Sequence, residues 1–183
     1  MAEMMEKVKD YTTSANIKRP LLMEKLSEFL AVEKGGVKLY EAAIQQVRNP
    51  DVLNRFREFY QQTRRHVEIL TRIISSLGGD PMHMSPGAKV AEEKAEALLK
   101  TMTLSDGMRP DEAEINAIEN IVIAETKDHA DWQLLSHIAR RSSDSQLRDI
   151  LKPAVDEVEP QEDDHLNWSK QQMAQMALAT LCE

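Results

Sequence analysis

Four stretches of this chain carry apolar residues at steps of three and four, the spacing that lines one face of an α-helix. The first runs Leu22, Leu26, Phe29, Glu33, Val37, Tyr40, Ile44, Val47, and the second Val52, Phe56, Phe59, Thr63, His66, Leu70, Ile73, Leu77. The third is Ile115, Ile118, Val122, Glu125, His129, Trp132, Ser136, Ala139. The fourth is Leu147, Leu151, Val155, Val158, Glu162, His165, then Gln172 or Met173, and Met176. Every stripe is interrupted by an acid or an imidazole: Glu33, His66, Glu125, and Glu162 with His165. Buried carboxylates are rare unless they are paired or bind a metal.

Helix punctuation agrees with these stripes. Pro20 suits the first turn of helix 1, and Asn49-Pro50 ends that helix and opens the next as cap and first residue. Gly78-Gly79-Asp80-Pro81 stops helix 2. Residues 82–110 form a long connection with its own amphipathic helix, capped at Ser85-Pro86 and faced by Val90, Ala91, Ala95, Leu98, Leu99 and Met102. Helix 3 is expected from about Asp111 to Arg141, followed by a turn at Ser142-Ser143-Asp144 and then helix 4. Pro153 and Pro160 lie inside helix 4, and a kink close to Glu162 is expected.

Short loops make helices 1 and 2 one antiparallel hairpin and helices 3 and 4 another. At about 1.5 Å per residue the helix in the connection spans about 27 Å, the length of a bundle. The expected fold is all-α, a ferritin-like four-helix bundle with a long helix-containing crossover between helices 2 and 3. Residues 1–19 read as a polar arm or short helix and 20–183 as the bundle.

The chain of 183 residues is 42% hydrophobic with 6 Gly, which suits a helical domain with a sizeable core. Its net charge of −8 and lack of long basic runs disfavour nucleic acid as a partner. No stretch approaches the roughly 18 apolar residues a membrane span needs. Met1–Asp10 has no apolar signal core, and Cys182 is the single cysteine, so a cytoplasmic location is the expectation.

Turn symmetry brings the interruptions together. Residues equidistant from the turn of an antiparallel hairpin lie at one height. The midpoint of Glu33 and His66 falls between Asn49 and Pro50, and that of Glu125 and Glu162 falls in the Ser142–Asp144 turn. Glu162-x-x-His165 presents a carboxylate and an imidazole on one helical face. A lone Glu on a stripe can be protonated or snorkel outward, and a lone core His is commonly a hydrogen-bonded packing residue. Five such interruptions at one height are harder to explain that way, because nearby carboxylates repel unless cations or protons intervene. Oxygen and imidazole donors suit iron, manganese or zinc. His129, one turn after Glu125, is either a further ligand or a side chain bonded to a neighbour. Tyr40 and Trp132 are expected to pack the core. His83, His137, Asp163 and Asp164 are expected at the surface.

Glu33-x6-Tyr40, Glu125-x6-Trp132 and Glu162-x-x-His165 resemble the rubrerythrin and ferritin-like superfamily. There, helices 1 and 3 carry a Glu seven residues before an aromatic, and helices 2 and 4 carry Glu-x-x-His. Helix 2 departs at Thr63, where the pattern has Glu. Its Gln62-Thr63-Arg64-Arg65-His66-Val67-Glu68-Ile69-Leu70 followed by Leu77-Gly78 resembles the YciF-type branch, as does the helical insert. The resemblance covers about residues 21–180 on short motifs. It implies one or two ions of iron or manganese, zinc being less favoured, held by Glu33, Glu125 and Glu162 with His66 and His165. It also implies ferroxidase- or peroxidase-type chemistry on dioxygen or peroxide in a stress or metal-handling role, and a homodimer. Two divalent cations would bring four positive charges to three carboxylates, so the missing acid opens a mononuclear or asymmetric site. The competing reading is a non-catalytic bundle with a satisfied polar core or structural zinc, acting through dimerisation or a protein partner.

Overall fold

A computed structural model describes residues 14–104 and 107–182. Five α-helices lie among them: α1 (Arg19–Gln46), α2 (Pro50–Ser76), α3 (Pro86–Thr103), α4 (Pro110–Arg141) and α5 (Ser145–Leu181). The expected all-α bundle is present, and no strand occurs among the described residues. Residues 1–13, where most of the expected N-terminal arm falls, lie outside the described residues. Of its remainder, Ala15 pairs with the α4–α5 turn, donating to the Arg141 carbonyl at 2.7 Å and accepting from Ser143 N at 2.9 Å.

The helix starts follow from local chemistry. Asn49 Oδ1 accepts from the Asp51 and Val52 amides at 2.9 and 3.4 Å, Ser85 Oγ from Ala88 N at 3.0 Å, and Asp144 Oδ1 from Leu147 N at 3.2 Å. Each satisfies amides that a helix start leaves without partners. α5 is one helix through Pro153 and Pro160. Both prolines are exposed, so the carbonyls they leave unbonded face water.

α1, α2, α5 and α4 form a closed ring in that order, and α3 lies outside it against α1 and α4. Contacts fix the directions. Gly87 lies beside Glu28, Gly35 beside Ala95, and Gln46 Nε2 donates to the Met102 carbonyl at 2.9 Å, so α3 runs parallel to α1. The crossover thereby carries the chain back along the whole bundle. α4 then starts beside the α1–α2 turn, where its Glu114 accepts from Asn49 N, and runs antiparallel to α1. Arg65–Glu157 and Arg55–Asp164 pairs set α5 antiparallel to α2. All neighbours in the ring are antiparallel.

The core has two apolar halves. One gathers Leu26, Phe29, Leu70, Ile73, Leu135, Leu147, Leu151 and Val158. The other gathers Leu39, Tyr40, Val52, Phe56, Phe59, Ala117, Ile118 and Ile121. Between them lies the layer of Glu33, Thr63, His66, Glu125, Glu162 and His165, all buried.

The approach of α3 to α1 depends on Gly35. A Cβ there would sit 2.7 Å from the Ala95 Cβ, closer than two carbons can approach. Gly in a helix interior ordinarily costs about 1 kcal/mol relative to Ala, so any side chain that fitted would stabilise. Gly35→Val is expected to lower stability by about 1–3 kcal/mol through overpacking. Urea unfolding checks this, and a variant as stable as the natural chain contradicts the close approach.

Candidate metal centre

Two triads of ligand-type side chains meet in the polar layer. Glu33, His66 and Glu162 form one, and Glu125, Glu162 and His165 the other; within each, one donor atom per residue lies within 4.8 Å of the others. Glu162 belongs to both. His66 Nδ1 is 3.4 Å from Glu33 Oε1 and 3.1 Å from Glu162 Oε1. His165 Nδ1 is 3.4 Å from Glu125 Oε2 and 3.5 Å from Glu162 Oε1.

The outer atoms of these groups are held by side chains from the opposite hairpin. Trp132 Nε1 on α4 donates to Glu33 Oε1 at 2.6 Å, and Tyr40 Oη on α1 donates to Glu125 Oε1 at 2.7 Å. His66 Nε2 lies 2.8 Å from Gln161 Oε1, and His165 Nε2 lies 2.7 Å from Gln62 Oε1. With the amide oxygens accepting, each Nε2 carries a proton. Each Nδ1 of a neutral ring then turns its lone pair inward. The inner atoms have no such partners. Glu33 Oε2, Glu125 Oε2, both oxygens of Glu162 and both His Nδ1 atoms are buried without a hydrogen bond among the described residues. Their mutual distances are those of ion pairs lacking hydrogen-bond geometry. Converging, buried, unbonded oxygen and imidazole donors are what a transition-metal ion requires, so these residues fit one.

The charges press on one another. Burial works against a cationic His66, yet Glu33 and Glu162 outweigh it and raise its pKa to about 11. Burial and the neighbouring Glu125 and Glu33 push Glu162 well above the usual carboxylate range. Glu125 is also opposed by burial, but His165 and the Tyr40 hydroxyl hold it below its ordinary value. Tyr40 itself is driven up by burial and by Glu125. These shifts favour protons in the layer when no other cation is there.

The structure brings Glu33, His66, Glu125, Glu162 and His165 together and leaves His129 outside. His129 Nε2 bonds Asp163 Oδ1 at 2.7 Å at the edge of α4 and α5, the second of the two roles open to it. His83 is at the surface, 2.9 Å from Glu24 Oε1. Thr63 is buried where the resemblance expects Glu, but its hydroxyl turns back to the Phe59 carbonyl at 3.0 Å.

Five further residues surround these ligand-type side chains. Tyr40 and Trp132 do more than pack: they are the donors that fix the two glutamates, and their seven-residue spacing from Glu33 and Glu125 was the available signal. Gln62 and Gln161 each lie four residues before the histidine of their own helix and orient that of the other. Asp128 is buried, its Oδ1 lacks a hydrogen bond, and it occupies the inward position that the sequence stripe gave to His129.

The proton on His66 has a measurable consequence. Because its folded-state value lies above the ordinary 6.5, its stabilising contribution is complete below about pH 6.5 and is lost as the pH climbs toward about 11. The Tm of the metal-free protein is expected to fall between about pH 7 and about pH 10, and to fall less in His66→Gln. Parallel profiles for the two proteins contradict the assignment.

Among known proteins, no curated protein and no solved structure matches this chain. Residues 18–167 match one family, whose description is "Domain of unknown function (DUF892)". That stretch takes in α1 to α4, α5 as far as residue 167, and all five residues of the two triads, and the chain belongs to this family.

Proposed function

We infer that the polar layer is a non-haem metal centre holding iron or manganese, and that the protein handles these metals or reacts them with dioxygen or peroxide. The observation that carries this reading is the shared Glu162. Both its oxygens are buried without a hydrogen bond, and both histidine Nδ1 atoms converge on it. The resemblance to rubrerythrin-type and ferritin-like proteins supports the same chemistry. Glu33, His66 and Glu162 would hold one ion and Glu125, Glu162 and His165 the other, while Tyr40, Trp132, Gln62 and Gln161 keep the donors aimed. The ions would supply one-electron redox chemistry at neutral pH. The chain's own part is to exclude water with two apolar half-cores, and to release the proton of His66 so that Nδ1 is free to ligate.

The second reading is a ferritin-like bundle whose polar core is structural, binding zinc or nothing. Thr63 favours it, since α2 contributes no carboxylate, and so do the upward shifts of His66 and Glu162, since protons held there would neutralise part of the layer. A homodimer is compatible with either reading. No helix among the described residues is long and apolar enough to cross a membrane.

Elemental analysis of the purified protein separates binding from its absence. The first reading expects iron or manganese in near-stoichiometric amount, reduced at least about tenfold in Glu162→Gln. Stoichiometric metal retained in that variant, or none in the natural protein, sinks it. Oxygen consumption on adding ferrous ion, and oxygen release from peroxide with manganese-loaded protein, then separate a reactive centre from a structural one.

A further inference from the structure

The two hairpins are related residue by residue around the site. Glu33 and Tyr40 on α1 correspond to Glu125 and Trp132 on α4, and Gln62 and His66 on α2 correspond to Gln161 and His165 on α5. Spacing is conserved in each case, and each member of a pair contacts its counterpart's helix. Two positions break this correspondence, and they break it together. Glu162 on α5 faces a counterpart, Thr63, with no carboxylate. Asp128 on α4, three residues after Glu125, has as its counterpart Gly36, three residues after Glu33, with no side chain at all.

The two small residues fill each other's space. A Cβ at Gly36 would lie 3.2 Å from Thr63 Cγ2, so the α1–α2 half of the layer has closed over the place where an acid on α2 would project. The α4–α5 half instead carries two acids, Glu162 and Asp128.

Asp128 is placed to use that excess inward. It lies on the same face of α4 as Glu125 and Trp132, at i+3 and i−4, and both of those residues touch the site. It is 4% exposed, and its Oδ1 is buried without a hydrogen bond. The nearest cation in sequence, Lys127, turns the other way to Asp131 and Glu28. Among the described residues no cation pairs with Asp128. After burial, the groups acting most strongly on it are Glu33, Glu162 and Glu125, which together with burial drive it well above the usual carboxylate range. Asp128 lies outside both triads, so to reach an ion it would have to turn its side chain or act through a bound water.

We propose that Asp128 supplies the fourth carboxylate of a two-cation site, taking over from α4 the charge that α2 lacks at Thr63. With Asp128 counted, four carboxylates face two divalent cations and the charges balance without a bridging hydroxide. The missing acid of α2 then does not make the site mononuclear. It moves one anionic donor from the α2–α5 side of the layer, where the histidines enter, to the α1–α4 side beneath α3. An asymmetric pair of ions follows, in which one ion depends on Asp128 more than the other does.

This inference rests on the metal-centre reading, and the test separates the two. Metal-free natural protein, Asp128→Asn and Asp131→Asn are titrated with Co2+ alone, following heat and the visible absorption of the bound ion. Asp131 is a second buried α4 acid, already paired with Lys127, and serves as the control. The expected result is two ions per chain in the natural protein and in Asp131→Asn. In Asp128→Asn the second ion should weaken at least about tenfold and lose its absorption band, while Asp128→Glu recovers it. The Tm of metal-free Asp128→Asn should equal or exceed that of the natural protein, because a buried acid beside three others is removed. Two ions bound with unchanged affinity and spectrum in Asp128→Asn overturn the inference and leave the metal centre standing. A single ion in the natural protein, unaffected by Asp128→Asn, does the same. No ion in the natural protein overturns both.

Discussion

The structure depends on how one layer of buried charge is neutralised. Glu33, Glu125, Glu162 and Asp128 share the interior with His66 and His165, between two apolar half-cores that exclude water. Burying an isolated charge costs several kcal/mol, so such a layer persists only if its members compensate one another or a cation does it for them. The surroundings serve that end. Two aromatic donors and two glutamine oxygens take the outward-facing atoms of the glutamates and histidines, and the inward-facing atoms converge on Glu162. Protons meet part of the demand, as the raised His66 and Glu162 show. Metal ions would meet it with better geometry, because the donors of each triad already converge.

The same constraint accounts for the shape of the bundle. A pair of antiparallel hairpins puts residues of equal distance from each turn at one height, but the two layers coincide only if α4 starts beside the α1–α2 turn. α3 makes that possible by carrying the chain the length of the bundle, and Gly35 lets it lie close against α1. The crossover helix is therefore part of what aligns Glu125 with Tyr40 and Trp132 with Glu33. It also covers the α1–α4 side of the layer, the side on which Asp128 enters.

Much of this was legible from the chain. Steps of three and four located the helices of the ring, and Asn49, Ser85 and the Ser142–Asp144 turn marked boundaries that the structure keeps. Turn midpoints alone placed Glu33 opposite His66 and Glu125 opposite Glu162. The phase of α4 was less legible. Glu125 and Trp132 are seven residues apart and fit two neighbouring stripes equally well, and the run Ile121-Val122-Ile123 is apolar on every side of the helix. The inward stripe is Ile118, Ile121, Glu125, Asp128, Trp132 and Leu135, with Ile123 exposed, and only packing against α1 and α5 selects it. The neighbouring stripe contains His129 in place of Asp128. Spacing singles out Tyr40 and Trp132 but not which glutamate each one holds, and it gives no sign of Gln62 and Gln161: each of the four bonds across to the other hairpin, a relation that spacing along one helix does not carry.

The most direct test of the account is an anomalous-scattering map from crystals of the protein loaded with manganese or iron, recorded at the metal's absorption edge. The account predicts metal peaks in the polar layer within coordination distance of a Glu162 oxygen, with His66 Nδ1 and His165 Nδ1 as ligands. A polar layer without a metal peak, with His66 Nδ1 still turned toward Glu162 alone, would contradict it.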